Sequence, residues 1–249
     1  MATAHENYIY GLHSIIEALD AGKQPDKIFI QIGVVNPLMN QLKQKLKELN
    51  LVYQNVPIEK LNRLTNKNHQ GAVAFISEVE FDQLENIIPQ LFERGEDPFI
   101  LLLDRITDVR NFGAIARTAA SAGVHAIVIP SRGAAQVNAD AIQTSAGALH
   151  KIAVCRENDL KHTIHFLKES GLRIISCTEK TTVNHYSVSY NQPVAIIVGS
   201  EENGISSEYL KLSDERVRIP MTGLVESLNV SVSAAVVMYE VVRQRNVLK

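Results

Sequence analysis

The hydrophobic positions of the chain fall into two zones with different rhythms. Up to about residue 78, short apolar stretches alternate with helical patterns, and one helix face is predicted to carry Leu38, Leu42, Leu46 and Leu49. From residue 99 onward the apolar runs become continuous, as in FILLLD, AIVIP and PVAIIV. Continuous runs are typical of parallel strands that are buried on both faces. The pattern therefore predicts an α/β protein with a parallel sheet in its second zone.

A mixed, acidic stretch separates the two zones. The sequence EFDQLENIIPQLFERGEDP runs from residue 80 to 98 and predicts a helix with a linker at one end. We therefore expect a small α/β domain over residues 1–78 and a larger domain over residues 79–249. A length of 249 residues accommodates two such domains.

Composition excludes several classes of protein. Hydrophobic residues make up 45% and charged residues 21%, which is typical of a globular chain. No apolar run reaches the length of a membrane span, and the N-terminus lacks the pattern of a secretion signal, so the cytoplasm is the expected compartment. A metal site is not expected, because there is no CxxC pair and His162 and His165 have no third ligand.

The formal net charge is −2, with 25 lysines and arginines against 27 acidic residues. A protein that binds nucleic acid through its overall charge is normally basic. Any RNA or DNA binding must therefore be concentrated in a local patch.

The first segment with candidate chemistry is DRITDVRNFGAIARTAASAGV, which follows FILLLD. It predicts a loop and then a helix of small residues from about Asn111 to Ala122, with Arg117 inside the helix. Arg105 and Arg110 in the loop suit a negatively charged ligand. The segment contains neither GxGxxG nor GxxxxGK[ST], so a dinucleotide-binding unit and a P-loop are both disfavoured.

Two further segments contain polar and small residues where ligands commonly bind. GSEENGIS, residues 199–206, directly follows the strand PVAIIV, and the ends of parallel strands are frequent binding positions. In the C-terminal segment Ser227 is predicted to cap a helix whose buried face holds Val230, Ala234, Val237 and Val241. Capping explains Ser227 but does not explain the nearby Asn229.

These segments, in this order, resemble the SpoU (TrmH-like) family of RNA ribose 2′-O-methyltransferases, in the SPOUT superfamily. The first family motif matches Asn111, Gly113, Arg117, Thr118 and Ala119. The second matches Gly199, Glu201 and Gly204, and the third matches IPMTGLVESLNVS from residue 219 to 231. YGLHSIIEAL and HQGAVA resemble the ends of the family's substrate-binding domain, so the resemblance covers nearly the whole chain.

The resemblance implies an α/β architecture: a C-terminal SPOUT domain with a parallel sheet and a deep trefoil knot, preceded by a small L7Ae/L30e-like α/β domain that binds RNA. It also implies a homodimer, with S-adenosylmethionine bound in the knot largely by main-chain groups. The residues expected to bind this cofactor are Gly199, Ser200, Ile219, Met221 and Leu228. No metal is required, because the leaving group departs as a neutral thioether.

The same resemblance assigns roles to the polar residues. Arg117 is expected to hold a phosphate or ribose and to stabilise charge on the attacking 2′-oxygen, because a guanidinium rarely gives up its proton. Asn111 fixes the loop or touches the nucleotide, and Glu201 orients Arg117 or the ribose. The pocket is completed by Ser227 and Asn229. The residues expected to contact RNA are Arg105, Arg110, Arg63, Lys67 and His69.

The resemblance leaves several functions open. The two-domain members with this N-terminal module favour a guanosine of 23S rRNA as the target. A tRNA ribose methyltransferase is the nearest alternative, and a non-catalytic protein that binds RNA or assists ribosome assembly is another. Motifs around the cofactor distinguish neither rRNA from tRNA nor bare RNA from a particle. Base methylation is disfavoured, because the branches that modify bases lack the Asn111-to-Arg117 motif.

Overall fold

The computed structural model describes residues 8–224 and 227–247, which form a mixed α/β structure. Contacts divide the chain into two compact units. Unit 1 comprises the residues up to 80 together with 136–139, and unit 2 comprises 81–135 and the residues from 140 onward. Within the described ranges, none of the helices has the length and apolar character needed to cross a membrane.

Unit 1 is built on a four-stranded sheet in the order β1-β4-β2-β3. Its strands are β1 (Tyr8–Tyr10), β2 (Pro25–Gln31), β3 (Gln54–Val56) and β4 (Ala72–Ile76). Strand β4 is antiparallel to β1 and β2, whereas β2 and β3 are parallel. The helices are α1 (Leu12–Asp20), α2 (Pro37–Glu48) and α3 (Ile58–Leu64). The alternating pattern predicted these elements except β1, which is too short to show a period of two.

Helix α2 begins where its sequence predicts and buries most of the predicted face, with Leu38 packed against the core. The side chain of Asn36 caps it by accepting a hydrogen bond from the Met39 amide at 2.8 Å. Met39, Leu42 and Leu46 are fully buried. The prediction that Leu49 completes this face is wrong, because the helix ends at Glu48 and Leu49 is 48% exposed.

Unit 2 is built on a six-stranded sheet in the order β10-β8-β9-β5-β6-β7, in which every pair is parallel. Its strands are β5 (Phe99–Asp104), β6 (Ala126–Pro130), β7 (Ala153–Glu157), β8 (Arg173–Cys177), β9 (Val194–Gly199) and β10 (Glu215–Val217). Its helices are α4 (Leu84–Glu93), α5 (Val109–Ser121), α6 (Ala139–Thr144), α7 (Leu160–Glu169), α8 (Ser207–Leu212) and α9 (Val230–Val247). The predicted parallel sheet is confirmed.

The central strands β5 and β9 are buried along their whole length. Helices α4, α7 and α8 contribute apolar side chains to one core cluster against the sheet. Helix α5 packs against α9, and α9 also contacts β9. Burial on both faces explains why these strands read as continuous apolar runs.

The chain changes direction at the middle of this sheet. From β5 it passes outward through β6 and β7, and it then returns to β8, with β9 between β8 and β5. The registers pair Asp104 with Gly199 and Cys177 with Val198, so three strands end at the same edge. Open parallel sheets bind ligands at the carboxyl ends of their strands, at such a change of direction.

Helix α5 starts at Val109, two residues before its predicted start, because Asp108 caps it by accepting a hydrogen bond from the Asn111 amide at 2.7 Å. Gly113 lies against α6. A β-carbon at this position would lie 2.7 Å from Cβ of Thr144 and 2.9 Å from the carbonyl oxygen of Ala141. Glycine is therefore required here for close helix packing.

We expect Gly113→Ala to lower the free energy of unfolding by about 1–3 kcal/mol, because the added methyl group overpacks a rigid contact. Urea titration followed by circular dichroism should show a lower midpoint with an unchanged slope. Ser121→Ala, on the exposed side of the same helix, is the control. An equal midpoint in the Gly113→Ala and wild-type proteins would contradict this packing argument.

Candidate functional site

A cavity of about 480 Å³ opens at the edge where β8 and β9 end. Its apolar lining includes Ile219, Pro220, Met221, Leu228 and Val230. Its polar lining includes Ser200, Glu179, Lys180, Arg218 and Ser227. A volume of this size and a mixed lining are typical of sites for small organic ligands. The structure brings together all five residues predicted to bind a cofactor: Gly199, Ser200, Ile219, Met221 and Leu228.

The loop after β9 returns closely onto the strand that precedes it. A β-carbon on Gly199 would lie 2.2 Å from the carbonyl carbon of Gly204 and 2.3 Å from the Ile205 nitrogen. The Gly204 amide donates a hydrogen bond to the Ser200 carbonyl at 2.9 Å, and Gly204 has a φ of +61°. Only glycine fits the first position without displacing the backbone, and it suits the second. The two motif glycines therefore shape this loop.

The buried carboxylate of Asp104 holds the same loop in place. It accepts hydrogen bonds from Arg105 Nε at 2.8 Å and Nη2 at 3.0 Å, and from the Ser206 amide at 2.7 Å. Arg105 also donates to the Gly204 carbonyl at 3.2 Å. A carboxylate with a 3% exposed side chain needs such partners, because burying an unpaired charge is costly. We call this group the Asp104–Arg105 clamp: Asp104, Arg105, Gly204 and Ser206.

The clamp accounts for Arg105, which the sequence placed among the RNA-contacting residues. The hydrogen bonds to Asp104 raise the pKa of the Arg105 guanidinium, which remains charged. Its φ of +59° is uncommon for a residue with a side chain and indicates local backbone strain. This geometry favours a structural role for Arg105 over a phosphate contact.

Glu201, in the clamped loop, joins three segments that are distant in sequence. Its Oε1 accepts hydrogen bonds from Asn111 Nδ2 at 3.3 Å, Asn229 Nδ2 at 2.6 Å and the Val230 amide at 3.1 Å. Asn229 Nδ2 also donates to Asn111 Oδ1 at 3.0 Å. We call Asn111, Glu201 and Asn229 the carboxylate–amide triad. Its carboxylate lies at the N-terminus of α9, where the helix dipole favours negative charge.

The start of α9 corrects one prediction. The helix begins at Val230, and Asn229 caps it by accepting a hydrogen bond from the Ser231 amide at 3.0 Å. The predicted cap at Ser227 is therefore wrong. Ser227 lies before the helix and lines the cavity instead. The predicted buried face of Val230, Ala234, Val237 and Val241 is confirmed.

A second cavity of about 560 Å³ borders the same loop. Its lining includes Arg105, Thr107, Asp108, Asn111 and Gly133. The two cavities share a wall formed by residues 200–203 and Val230. Glu201 is part of this wall, so the carboxylate of the triad borders two spaces that can each hold a ligand.

Arg117 lies apart from this group. It follows Asn111 by six residues in α5, which places it about 9 Å further along the helix axis and about 120° around it. The side chain is exposed and lines neither of these two cavities. Among the residues described, no hydrogen bond or ion pair links Arg117 with Glu201. Within one chain, Glu201 therefore does not orient Arg117.

The remaining predicted RNA contacts differ in exposure. Arg110 lies in the first turn of α5 and is exposed, as are Arg63 and Lys67 in unit 1. His69 is only 8% exposed, and both of its ring nitrogens are engaged, with the Gly71 amide at 3.0 Å and with Asn62 Oδ1 at 2.9 Å. This geometry disfavours direct contact between His69 and RNA. It indicates that His69 shapes the turn that leads to Gly71.

Sequence reasoning missed several cavity and loop residues. Asp104 was passed over, although a carboxylate at the end of an apolar strand is itself a signal of a buried partner. Cys177 lines the first cavity, and burial raises the pKa of its thiol to about 12, so it remains protonated. Within the described ranges no three histidine, cysteine or acidic side chains group as a metal site would require.

Comparison with family models gives two matches along the chain. Residues 98–239 match the SpoU rRNA Methylase family. Residues 8–82 match the family described as RNA 2′-O ribose methyltransferase substrate binding. The first match contains the clamp and the triad, and the second contains the four-stranded sheet of unit 1.

Individual relatives agree with these matches. YacO of Bacillus subtilis, assigned to the TrmH family of tRNA/rRNA methyltransferases, is 33% identical over 246 residues, covering 99% of this chain and 98% of YacO. The crystal structure of an RNA 2′-O ribose methyltransferase is 27% identical, with a TM-score of 0.57 over 96% of this chain and 88% of the other. The SpoU methyltransferase AviRb of Streptomyces viridochromogenes, crystallised with AdoMet, shares the fold at 24% identity, with a TM-score of 0.61 over 96% of this chain and 90% of AviRb.

We expect Arg105→Ala to loosen the loop from Ser200 to Ser206. The substitution removes two of the three hydrogen bonds to the buried Asp104 carboxylate and one to Gly204. Native-state hydrogen exchange should accelerate about 10-fold or more at the Gly204 and Ser206 amides, which corresponds to roughly 1.4 kcal/mol of lost protection. Arg110→Ala, an exposed arginine of the neighbouring helix, should leave both amides unchanged. Unaltered exchange in Arg105→Ala would show that the clamp does not hold this loop.

Proposed function

The chain belongs to the SpoU rRNA methylase family, and on that premise we propose that it transfers a methyl group from S-adenosylmethionine to a ribose 2′-hydroxyl of RNA. The observation that carries this proposal is the wall shared by the two cavities. A methyl donor and its acceptor must meet in line, with little space between them. Two ligand-sized spaces that both border Glu201 provide such neighbouring positions.

The first cavity fits the cofactor. Met221 and Leu228 are 39% and 38% exposed, which leaves apolar surface for an adenine ring to cover. The loop after Gly199 and the chain around Ile219 offer main-chain polar groups beside that surface. Three carboxylates, Glu179, Glu201 and Glu202, outnumber the cations Lys180 and Arg218 along the lining, which suits a positively charged ligand. When bound, S-adenosylmethionine supplies a methyl group on a sulfonium, which leaves as a neutral thioether.

We assign the second cavity to the target ribose. Asn111 lines it, and the other two members of the triad hold the Asn111 amide in one orientation. Such preorganisation lets the polar groups act on the ribose without rearranging first. Glu201 and Asn229 therefore act mainly by positioning, and Ser227 and Leu228 complete the wall on the cofactor side. Arg110, the exposed neighbour of Asn111 in α5, is the proposed phosphate contact.

We propose a homodimer in which the partner subunit's Arg117 completes each site. Arg117 of the same chain lies too far along α5 to reach the ribose beside Asn111. Two exposed apolar side chains, Val232 at 47% and Tyr239 at 50%, lie seven residues apart on α9 and therefore on one side of that helix. An exposed apolar strip on a helix that packs against α5 suits an interface between two copies. There Arg117 would stabilise the charge developing on the attacking 2′-oxygen.

Mixed dimers test this arrangement. We expect Arg117→Lys and Glu201→Gln each to lose most activity, because a point charge does not reproduce a planar guanidinium and an amide changes the triad. A dimer with one chain of each kind, purified through two different tags, should recover about half of the wild-type turnover, since one of its two sites is intact. A mixed dimer as inactive as both parents would indicate that one chain supplies both residues.

The proposed target is a guanosine of 23S rRNA, bound by unit 1 and methylated by unit 2, with the domain boundary near residue 79. A tRNA ribose is the second candidate, because the name of the Bacillus subtilis relative includes both RNAs. The trefoil knot and the absence of a required metal remain part of the proposal. The cytoplasm is the proposed compartment, as the place where both RNAs are modified.

Transfer of labelled methyl groups into unmodified rRNA and tRNA tests the proposed reaction. We expect label in alkali-resistant dinucleotides, because a methylated 2′-oxygen blocks alkaline cleavage. Glu201→Gln should lower turnover about 100-fold, whereas Glu208→Gln, an exposed carboxylate of α8, should not. S-adenosylhomocysteine should raise the melting temperature of both variants and of the wild type. Absence of label and of any thermal shift would favour the non-catalytic RNA-binding alternative.

A further inference from the structure

The two faces of the unit 1 sheet are covered by different helices. Helices α1 and α2 pack on one face, over a core that includes Ile15, Ile28 and Leu42. The opposite face is covered by α3 and its apolar residues Leu61 and Leu64. Alternate residues of a strand point to the same side, and paired residues share a face. Tyr8 and Tyr10 of β1, which pair with Phe75 and Val73, therefore extend this second face beyond α3.

Four aromatic rings lie on that second face, two of them on the edge strand β1. The ring of Tyr8 lies 5.9 Å from the ring of Phe75 and 6.2 Å from that of Tyr10, measured between centroids. Phe29 meets Phe75 edge to face at 6.1 Å. Phe75 and Phe29 are buried, whereas Tyr8 and Tyr10 are half-buried. The two tyrosine rings are thus partly exposed and lie beside buried apolar side chains.

Cations surround these rings. The ammonium of Lys60 lies 4.7 Å from the centroid of the Phe29 ring, and that of Lys67 lies 5.4 Å from the Tyr10 centroid. Arg63 follows Lys60 by three residues in α3 and so lies on the same side of the helix. All three cations are exposed, and in the described part of the chain none forms an ion pair with a carboxylate. Glu59 is the sole acidic residue of α3.

We propose that this tyrosine–lysine face, defined by Tyr8, Tyr10, Lys60, Arg63 and Lys67, binds single-stranded RNA of the substrate. This inference rests on the proposed function, which supplies RNA as the ligand. Exposed aromatic rings flanked by cations match the two parts of an unpaired strand, bases that stack and phosphates that carry charge. The bases of a duplex are already stacked on one another, so the ring surface would be unused.

The position of the lysines supports this choice of ligand. Cation–π contacts hold Lys60 and Lys67 near the sheet, so fewer side-chain conformations are lost when a phosphate binds. Among the described residues, none places a cation over the ring of Tyr8, so it is the ring on which a base stacks. A local patch of three cations also explains how a chain of net charge −2 can bind RNA at all.

Fluorescence anisotropy with the full chain tests the face. The probes are a labelled single-stranded RNA of about 12 nucleotides and a duplex of the same sequence. Tyr8→Leu, which keeps an apolar side chain over Phe75, should weaken single-strand binding about 5- to 100-fold. The double variant Lys60→Gln with Lys67→Gln should reduce the salt dependence of the logarithm of affinity by about 1.4, which is about 0.7 for each phosphate that the protein no longer neutralises.

A matched control lies in the same unit. Lys43→Gln with Lys47→Gln removes the same charge from α2, on the other side of the sheet, and should leave affinity and salt dependence unchanged. Equal losses in both double variants would overturn the proposal, as would duplex and single strand binding equally well. Urea unfolding of each variant identifies losses of affinity that come from misfolding. If Tyr8→Leu is unstable, the double lysine variant, whose residues are exposed, still tests the proposal.

The outcomes separate this inference from the proposed function. If the wild type methylates RNA while both face variants retain its KM for RNA, the proposed RNA-binding role of the tyrosine–lysine face is overturned and the proposed reaction stands. If the wild type binds single-stranded RNA through this face but transfers no methyl group, the proposed reaction fails and the RNA surface stands. If the wild type binds neither probe, the proposed RNA-binding role of the face is overturned.

Discussion

The site depends on the hydrogen bonds that satisfy the buried carboxylate of Asp104. A charge at the end of an interior strand is tolerated only when hydrogen bonds replace its water, and here Arg105 and the Ser206 amide do so. Because both partners lie on the two loops that follow β5 and β9, satisfying the charge also fixes the loops. The strained backbone of Arg105 is consistent with a guanidinium held in one place by its partners.

The rest of the unit 2 site follows from the loop that this clamp holds. Gly199 allows the loop to return within van der Waals contact of its own strand, and Glu201 then reaches the start of α9 and the first turn of α5. One carboxylate thereby joins three segments and closes the wall between the two cavities. The family motifs are thus parts of one hydrogen-bonded unit.

In the proposed function, unit 1 recognises the RNA and unit 2 carries out the methyl transfer, and the two surfaces differ physically. Unit 2 offers enclosed spaces in which main-chain groups, apolar surface and a positioned carboxylate meet, which suits a small cofactor and one ribose. The proposed tyrosine–lysine face of unit 1 offers partly exposed rings flanked by cations, which suits an extended strand. The near-neutral overall charge is compatible with both, because neither depends on long-range attraction.

The sequence by itself determined the elements whose signal is local. Continuous apolar runs identified the buried parallel strands, and the family resemblance picked out five residues that line one cavity. Two helix ends differ from the prediction: α2 ends one residue before Leu49, and Asn229 rather than Ser227 reaches the free amides at the start of α9. The short strand β1, with its tyrosines, left no periodic signal.

Tertiary structure decided which polar residues meet. Arg105 resembled a phosphate ligand in sequence but pairs with its neighbour Asp104, and His69 is buried with its ring nitrogens engaged by Asn62 and Gly71. Arg117, six residues from Asn111, lies on another side of the same helix. The sequence shows which chemical groups each side chain carries. The distances between groups at strand ends and helix starts are set only by long-range packing. For that reason the residues of this site were visible in the sequence, whereas the bonds among them were not.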